Sequence, residues 1–173
     1  MTEYSRPATL SDLKTLLQSL NSHGVEYFLV GGYALAAHGY PRATTDIDLV
    51  VPATVQAGRK IKDALMVLPD QVAKEIAVEW FEEGENIRVA DAFVVDLLLT
   101  ANGQTYETLS RYAEVIDLDG IPVRTISLEG LLLTKQTLRE KDVPDRLVIE
   151  RALILLREPT AGDDPQVKSK PAG

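Results

Sequence analysis

The sequence predicts an α/β (α+β) domain in which helices flank a mixed β-sheet and further helices follow towards the C-terminal end. Three observations predict this class. Amphipathic helical stretches alternate with short apolar segments, and glycine or proline ends most of them. Some strands are joined by turns too tight for a crossover helix, so antiparallel pairs must accompany parallel ones. At 173 residues the chain fits one domain.

The first half of the chain alternates helices with short strands. Leucines recur at helical spacing from Leu10, with Thr9 as a suitable N-cap and Gly24 as the stop. The elements predicted next are a strand over 25–30, a short helix over 33–38, a strand over 47–51 that Pro52 closes, and a helix over 53–68 that Pro69 ends.

The second half extends the sheet and adds the C-terminal helices. We expect a helix within 70–85, and we expect one domain spanning 1–157 with the C-terminal helices over 127–157 packed on it. Residues 158–173, rich in Pro, Gly and charge, are expected to form a disordered tail. The remaining predicted elements are strands over 86–89 and 93–100 around Ala90-Asp91, a helix over 105–112, a hairpin of 114–118 and 123–126 about Asp119-Gly120, a helix over 128–141, and a last helix from Pro144 to near Arg157.

Composition excludes several classes of protein. The chain contains no cysteine, which excludes disulfides, thiolate catalysis and zinc–thiolate sites. The net charge of -8 weakens the case for a stand-alone nucleic-acid binder, which normally carries a basic face. The N-terminal residues lack the pattern of a signal peptide, and no apolar run is long enough to span a bilayer. We therefore expect a cytoplasmic protein with no membrane partner.

Two aspartates stand at alternate positions of an apolar strand. The segment TTDIDLVV places Asp46 and Asp48 on one face, because residues i and i+2 of a strand point the same way. At roughly 5–6 Å two carboxylates repel by about 3 kcal/mol at an effective dielectric near 20, and a cation or a raised pKa relieves this. Mg²⁺ is commonly held by one or two carboxylates together with substrate phosphates. The pair predicts a metal site; the alternative is a strand end with two solvated aspartates.

A third aspartate, Asp96, lies inside the apolar segment FVVDLLLT. A buried aspartate needs a metal, a salt bridge or a pocket edge. If the strand that begins at Phe93 lies beside the strand of Asp46 and Asp48, Asp96 completes a three-carboxylate site. The alternative is a buried ion pair, for example with Arg88 on the adjacent strand.

Five further residues are candidates for binding phosphate. Gly31 and Gly32 follow a strand and open a helix, where backbone N–H groups attract phosphate, although a tight turn would explain them equally well. Arg42 and Thr44 precede the aspartates and could contact a triphosphate, or Arg42 could simply neutralise the carboxylates. Lys135 lies on a basic helix face that is either solvated or directed at nucleotide phosphates.

Together these residues resemble the nucleotidyltransferase superfamily, whose outline is the polymerase-β-like fold. Its signature is a strand, Gly-Gly or Gly-Ser at a helix start, Asp-x-Asp on the next strand and a third carboxylate on a later strand. This chain supplies Gly31-Gly32, Asp46-Ile47-Asp48 and Asp96. The segment VGGYALAAHGYPRATTDIDLVV, together with the later segment SLEGLLLTKQTLREKD, is most similar to the abortive-infection AbiEii-type nucleotidyltransferases. That group includes toxins of toxin–antitoxin pairs and small uncharacterised relatives.

The resemblance implies a role for each matching residue. Asp46 and Asp48 would hold two Mg²⁺ ions, with Mn²⁺ as an alternative, that bridge a nucleoside triphosphate such as ATP. Asp96 would bind one ion and orient or deprotonate the attacking hydroxyl. The Gly31-Gly32 pair would hold the β- and γ-phosphates, and Lys135 would support the nucleotide.

The resemblance also implies an activity and its partners. The protein would be an enzyme that moves a nucleoside monophosphate onto a hydroxyl acceptor and releases pyrophosphate. RNA, such as a tRNA end, or protein is favoured as the acceptor over a small molecule. The toxin–antitoxin association adds an antitoxin or operon partner protein. The alternative is a catalytically idle nucleotide- or partner-binding module of the same fold.

Overall fold

The computed structural model describes residues 5–41, 44–135 and 143–157. Within these ranges seven α-helices and six strands follow one another, with short 3-10 turns at Val72–Glu75 and Ser110–Tyr112. In chain order the elements are α1 (Leu10–Ser22), β1 (Phe28–Val30), α2 (Gly31–Ala37), β2 (Ile47–Val50), α3 (Val55–Leu65), α4 (Trp80–Glu83), β3 (Ile87–Ala90), β4 (Val94–Leu98), α5 (Tyr106–Leu109), β5 (Ala113–Leu118), β6 (Ile121–Ile126), α6 (Leu128–Lys135) and α7 (Val143–Arg157).

The six strands form one mixed sheet in the order β3-β4-β2-β1-β6-β5. β1 pairs antiparallel with β2 and parallel with β6, while β2 runs parallel to β4. The outer pairs, β3 with β4 and β5 with β6, are antiparallel. The predicted fold class, a mixed sheet flanked by helices, is confirmed.

The first helix begins and ends where its sequence signals lie. The Thr9 hydroxyl accepts a hydrogen bond from the Asp12 backbone N–H, and the Asp12 carboxylate accepts one from the Thr9 N–H. This capping box satisfies two of the N–H groups that a helix start leaves without partners. Gly24 follows the helix at φ +66, a conformation that suits glycine. The buried side chains are the leucines at 13, 16, 17 and 20.

The central strands have one face in the core. Leu49 pairs with Leu29 on one side and Leu97 on the other, and all three are fully buried. They belong to one apolar cluster with the buried side chains of α1 and α3. Because side chains alternate along a strand, Asp48 and Asp96 project from the opposite face. Burial of the first face therefore determines the face from which these two carboxylates project.

The helix predicted within 70–85 is wrong in extent. Only the 3-10 turn at Val72–Glu75 and the single turn of α4 form there. Gln71 sits at φ 53, and Ile76 returns to extended backbone, which interrupts any continuous helix. At the start of the segment the buried Asp91 carboxylate accepts hydrogen bonds from the backbone N–H groups of Asp70 at 2.8 Å and Val72 at 3.0 Å, and it also accepts one from Ala92 at 2.7 Å, which ties the segment to the β3–β4 turn.

Two predictions on the C-terminal part fall partly outside the described residues. The helix predicted over 128–141 is described as α6 up to Lys135, and the predicted tail at 158–173 is not described. α6 and α7 contribute Leu128, Leu131 and Ile149 to the core cluster. The domain limits stay a prediction. No helix in the described ranges is both long and apolar enough to cross a membrane.

The three hydrogen bonds to Asp91 lead to a prediction on stability. Asp91→Ala leaves three N–H groups without their acceptor, and we expect the free energy of unfolding to fall by about 3 kcal/mol or more. Asp91→Asn keeps one carbonyl oxygen for the N–H groups of Asp70 and Ala92, so it should lose only about 1–2 kcal/mol. Urea unfolding followed by circular dichroism measures both. Equal losses in the two variants would contradict this account.

Candidate active site

One large cleft brings together most of the residues predicted to carry function. Its volume is about 1120 Å³, and it opens on the face of the sheet from which Asp48 and Asp96 project. Arg42, the eighth predicted residue, lies outside the described residues. The other seven all line the cleft: Gly31, Gly32, Thr44, Asp46, Asp48, Asp96 and Lys135.

The strand register places the second and third aspartates side by side. β2 and β4 run parallel with Asp48 opposite Asp96. Asp46 precedes β2 by one residue and shares the face of Asp48. The condition for a three-carboxylate cluster, that the strand of Asp96 lies beside the strand of Asp48, is therefore met.

Arg88 forms ion pairs with two of these carboxylates. It stands opposite Asp96 in the β3–β4 pair, its Nη2 donates to Asp96 Oδ2 at 3.3 Å, and its Nε lies 3.1 Å from Asp96 Oδ1 in an ion pair. Its Nη2 also lies 3.5 Å from Asp46 Oδ2. The ion pair considered as an alternative to the metal site is thus present, but it forms inside the carboxylate cluster and not away from it.

The cluster carries more negative charge than its surroundings neutralise. Burial and then the charge of Asp96 raise the pKa of Asp48 to about 7, although the positive charge of Lys135 opposes the rise. Burial also raises the pKa of Asp96, against the lowering effect of Arg88. The raised pKa means that Asp48 keeps its proton to a higher pH than an ordinary aspartate, which relieves the repulsion with Asp96.

The three carboxylates are chemically suitable ligands for a divalent ion, but Arg88 already contacts two of them. Carboxylate oxygens are the ligands that Mg²⁺ prefers, and the raised pKa of Asp48 indicates that its negative charge is disfavoured in the present cluster. In residues 5–41, 44–135 and 143–157, however, no three or more His, Cys, Asp or Glu side chains are arranged so that they could hold a metal ion. The guanidinium of Arg88 lies between Asp46 and Asp96. The fit to Mg²⁺ therefore rests on the chemistry of the donors: Asp48 and Asp96 stand in register, and Mg²⁺ is commonly held by one or two carboxylates.

Gly31 is required by the close approach of Asp48. A Cβ at position 31 would lie 2.5 Å from Asp48 Oδ2, and the residue adopts φ +74. Both facts exclude a side chain here. Gly31 and Gly32 also open α2, whose N-cap residue Val30 offers no side-chain acceptor to the first-turn N–H groups. Gly31 thus leaves room for the Asp48 carboxylate, and the glycine pair also begins α2.

Lys135 is held at the cleft by a residue that sequence reasoning missed. Its Nζ lies 3.3 Å from Oδ2 of Asp145, whose side chain is only 2% exposed. Asp145 stands in the first turn of α7, where a carboxylate is favourable to the helix dipole. An aspartate at a helix start does not indicate a partner on another helix, so the ion pair between Asp145 and Lys135 could not be predicted from the sequence.

Two further polar residues support the site from outside the predicted set. The Thr45 hydroxyl donates to Asp46 Oδ1 at 3.1 Å and so orients that carboxylate. Asn86 Oδ1 accepts from the backbone N–H groups of Leu99 at 2.8 Å and Thr100 at 3.2 Å, where β4 ends. Thr45 adjoins the Asp-x-Asp motif and could have been suspected. Asn86 could not, because its partners are thirteen and fourteen positions away.

The described lining of the cleft is acidic and contains no aromatic side chain. Its charged members are four aspartates, at 46, 48, 96 and 145, and two basic residues, Arg88 and Lys135.

Two solved structures are similar to this chain. A protein from Thermotoga maritima, provisionally assigned as a nucleotidyltransferase, matches with a TM-score of 0.52 and 16% identity over 86% of this chain and 90% of that one. An antigenic nucleotidyltransferase-like protein from Paracoccidioides brasiliensis matches with a TM-score of 0.48 and 23% identity, over 94% and 85% of the two chains. No family profile and no curated protein matches the chain. The first similarity confirms the predicted nucleotidyltransferase-like fold, and the AbiEii subtype stays a prediction.

The contact between Gly31 and Asp48 can be tested with a matched pair of glycine variants. Gly24 also has a positive φ, +66, but a Cβ there meets nothing within 4 Å. We expect Gly24→Ala to lower the free energy of unfolding by about 1 kcal/mol through backbone strain alone. Gly31→Ala adds a collision with Asp48 and should lower it by about 3 kcal/mol. Chemical denaturation compares the two, and similar losses would show that the contact is unimportant.

The raised pKa of Asp48 leads to a pH dependence of stability in metal-free protein. Its ordinary value is 3.8 and its folded value about 7, so between these pH values the folded state binds a proton that the unfolded state does not. The contribution of Asp48 to stability is therefore greatest at low pH and falls as the pH rises towards 7. Asp48→Asn cannot ionise, so we expect its stability relative to wild type to improve by about 1–2 kcal/mol from pH 4 to pH 7.5.

Urea unfolding in the presence of a chelator measures this difference at each pH. The exposed Glu85 supplies the control, because Glu85→Gln removes one carboxylate away from the cluster and should follow the wild-type profile. A constant difference between Asp48→Asn and wild type across the range would refute the raised pKa.

Proposed function

We propose that this protein is a metal-dependent nucleotidyltransferase, which moves a nucleoside monophosphate from a nucleoside triphosphate to a hydroxyl acceptor and releases pyrophosphate. The observation that carries the proposal is the pairing of Asp48 with Asp96 in the β2–β4 register, beside Gly31. A fold gains nothing in stability from this arrangement, since it places two repelling carboxylates in contact. The demand for a cation in a cleft large enough for a nucleotide supports the proposal.

The three carboxylates are the groups that would hold the metal. Asp46, Asp48 and Asp96 would ligate Mg²⁺, two ions in the full site, with Mn²⁺ as a substitute. Bound ions of this kind stabilise the charge on the attacking and leaving oxygens of a phosphoryl transfer. Asp96, which lies on the β3 side of the pair, is proposed to orient the acceptor hydroxyl and to take its proton.

The other side of the cleft is proposed to hold the triphosphate. Gly31 and Gly32 would receive the β- and γ-phosphates, because glycine lets a phosphate approach the backbone closely. Lys135 would add a positive charge, oriented by its ion pair with Asp145. Thr44 lines the same cleft and is proposed as a further polar contact. Arg42 is proposed for the same task from its place in the sequence.

RNA and protein are the proposed acceptors, in keeping with the AbiEii-type resemblance, and a role as the toxin or another component of a toxin–antitoxin pair is part of the same proposal. The acidity of the described cleft lining favours a protein hydroxyl over a polyanionic RNA. An antitoxin or operon partner would be the protein that restrains the activity.

A second candidate function has one observation in its favour. Arg88 bridges Asp46 and Asp96, so the carboxylates are already partly neutralised without a metal. A catalytically idle module that binds a nucleotide or a partner protein would keep such an arrangement permanently. The two candidates differ in whether nucleotide becomes covalently attached to an acceptor.

The test is a transfer assay with α-³²P-labelled nucleoside triphosphates, Mg²⁺ and a cell extract. We expect label on protein or RNA with the wild-type chain, and a loss of at least about 100-fold with Asp48→Asn, because it removes a proposed metal ligand. Digestion of the product with protease or ribonuclease identifies the acceptor. Glu85→Gln, at an exposed position, should retain wild-type transfer.

Two results would contradict the proposed nucleotidyltransferase activity. If triphosphate binds in equilibrium dialysis but no acceptor is labelled with any nucleotide, the idle module is the correct function. If Asp48→Asn transfers label as fast as wild type, the reaction does not use this cleft.

A further inference from the structure

Arg88 occupies the space that a metal ion would share between two carboxylates. It contacts both oxygens of Asp96, at 3.1 and 3.3 Å, and the Oδ2 atom of Asp46 at 3.5 Å. Nε and Nη2 form a fork that faces the two oxygens of Asp96, and the contact from Nη2 to Oδ2 is a hydrogen bond. The oxygens that Arg88 uses are therefore the same ones that a divalent ion would need.

Arg88 itself is held only by these charges. Its side chain is 63% exposed, whereas that of Asp96 is 17% exposed. It projects from β3, an outer strand of the sheet. The guanidinium can therefore turn into solvent without opening the apolar core. The carboxylates, by contrast, are held in place by the strand register.

A guanidinium and a divalent ion cannot both bind these oxygens at close range. The two cations would repel each other, because a guanidinium within 3.5 Å of Asp46 and Asp96 lies where an ion shared by these carboxylates would sit.

We propose that Arg88 is a displaceable counter-ion, which neutralises Asp46 and Asp96 when no metal is bound and swings out of the cluster when a divalent ion binds. The proposal rests on the proposed metal site. Because Arg88 must be displaced, metal binds weakly to the free protein. A triphosphate in the cleft offers the released guanidinium a new anionic partner, so metal and nucleotide favour each other's binding.

Mn²⁺ binding, measured by electron paramagnetic resonance without nucleotide, tests this directly. Arg88→Met removes the charge and keeps a long side chain, and we expect it to bind Mn²⁺ about fivefold more tightly than wild type. Arg88→Lys keeps the charge but cannot form the fork, so its affinity should lie between the two. Lys14→Met is the matched control, because Lys14 pairs with Asp119 and does not line the cleft. It removes the same charge and should bind Mn²⁺ like wild type.

A second measurement uses the wild-type chain and does not depend on a variant folding. In ¹⁵N-labelled protein, the Arg88 Nε–H signal reports the contact of the guanidinium with Asp96, whose Oδ1 lies 3.1 Å from Nε. We expect Mg²⁺ to shift this signal towards the position of a solvated guanidinium. Arg6, which pairs with Asp12, supplies an internal reference that Mg²⁺ should leave unchanged.

The outcomes separate this inference from the proposed function. If wild type binds Mn²⁺ and Arg88→Met binds it equally or more weakly, Arg88 does not compete and the inference is overturned, while the metal site stands. An Arg88 signal that Mg²⁺ leaves unchanged overturns it in the same way. If neither wild type nor Arg88→Met binds Mn²⁺, the proposed metal site and the inference both fall.

Discussion

The contact between Asp48 and Asp96 is the constraint on which the rest of the site depends. The parallel pairing of β2 and β4 places the two carboxyl groups side by side, and burial of the opposite face prevents either strand from turning them away. Two features relieve the resulting repulsion: the pKa of Asp48 is raised to about 7, and the guanidinium of Arg88 pairs with Asp96. The guanidinium lies outside the apolar core, so it can leave without unfolding the domain.

The site was predictable to the extent that its residues signal their role locally. Asp46 and Asp48 share a face by strand geometry alone, and Asp96 is conspicuous inside an apolar segment. The sequence also offered Arg88 as a partner of Asp96, but as an alternative to the carboxylate cluster. The structure shows both together, because one guanidinium reaches two carboxylates. Asp145 was missed because its partner lies on another helix.

The fold was predictable where local signals and tertiary packing agree. α1 is an example, since its leucine spacing and its capping box indicate the same limits. The helix expected within 70–85 was wrong in extent, because apolar spacing does not reveal the left-handed backbone at Gln71 or the extended backbone at Ile76. The hydrogen bonds from Asp70 and Val72 to the buried Asp91 are tertiary contacts, which periodicity does not reveal either.

The acidic residues of the outermost strand β5 affect how the edge of the sheet meets other copies of the chain. β5 has β6 as its single neighbour in the described sheet, and Val115 is 67% exposed there. A strand with an open edge can recruit a strand from another copy of the chain and so begin aggregation. Glu114 and Asp117 are both exposed on β5, and two copies approaching edge to edge would bring these negative charges together. Part of the net charge thus protects an unpaired edge from self-association.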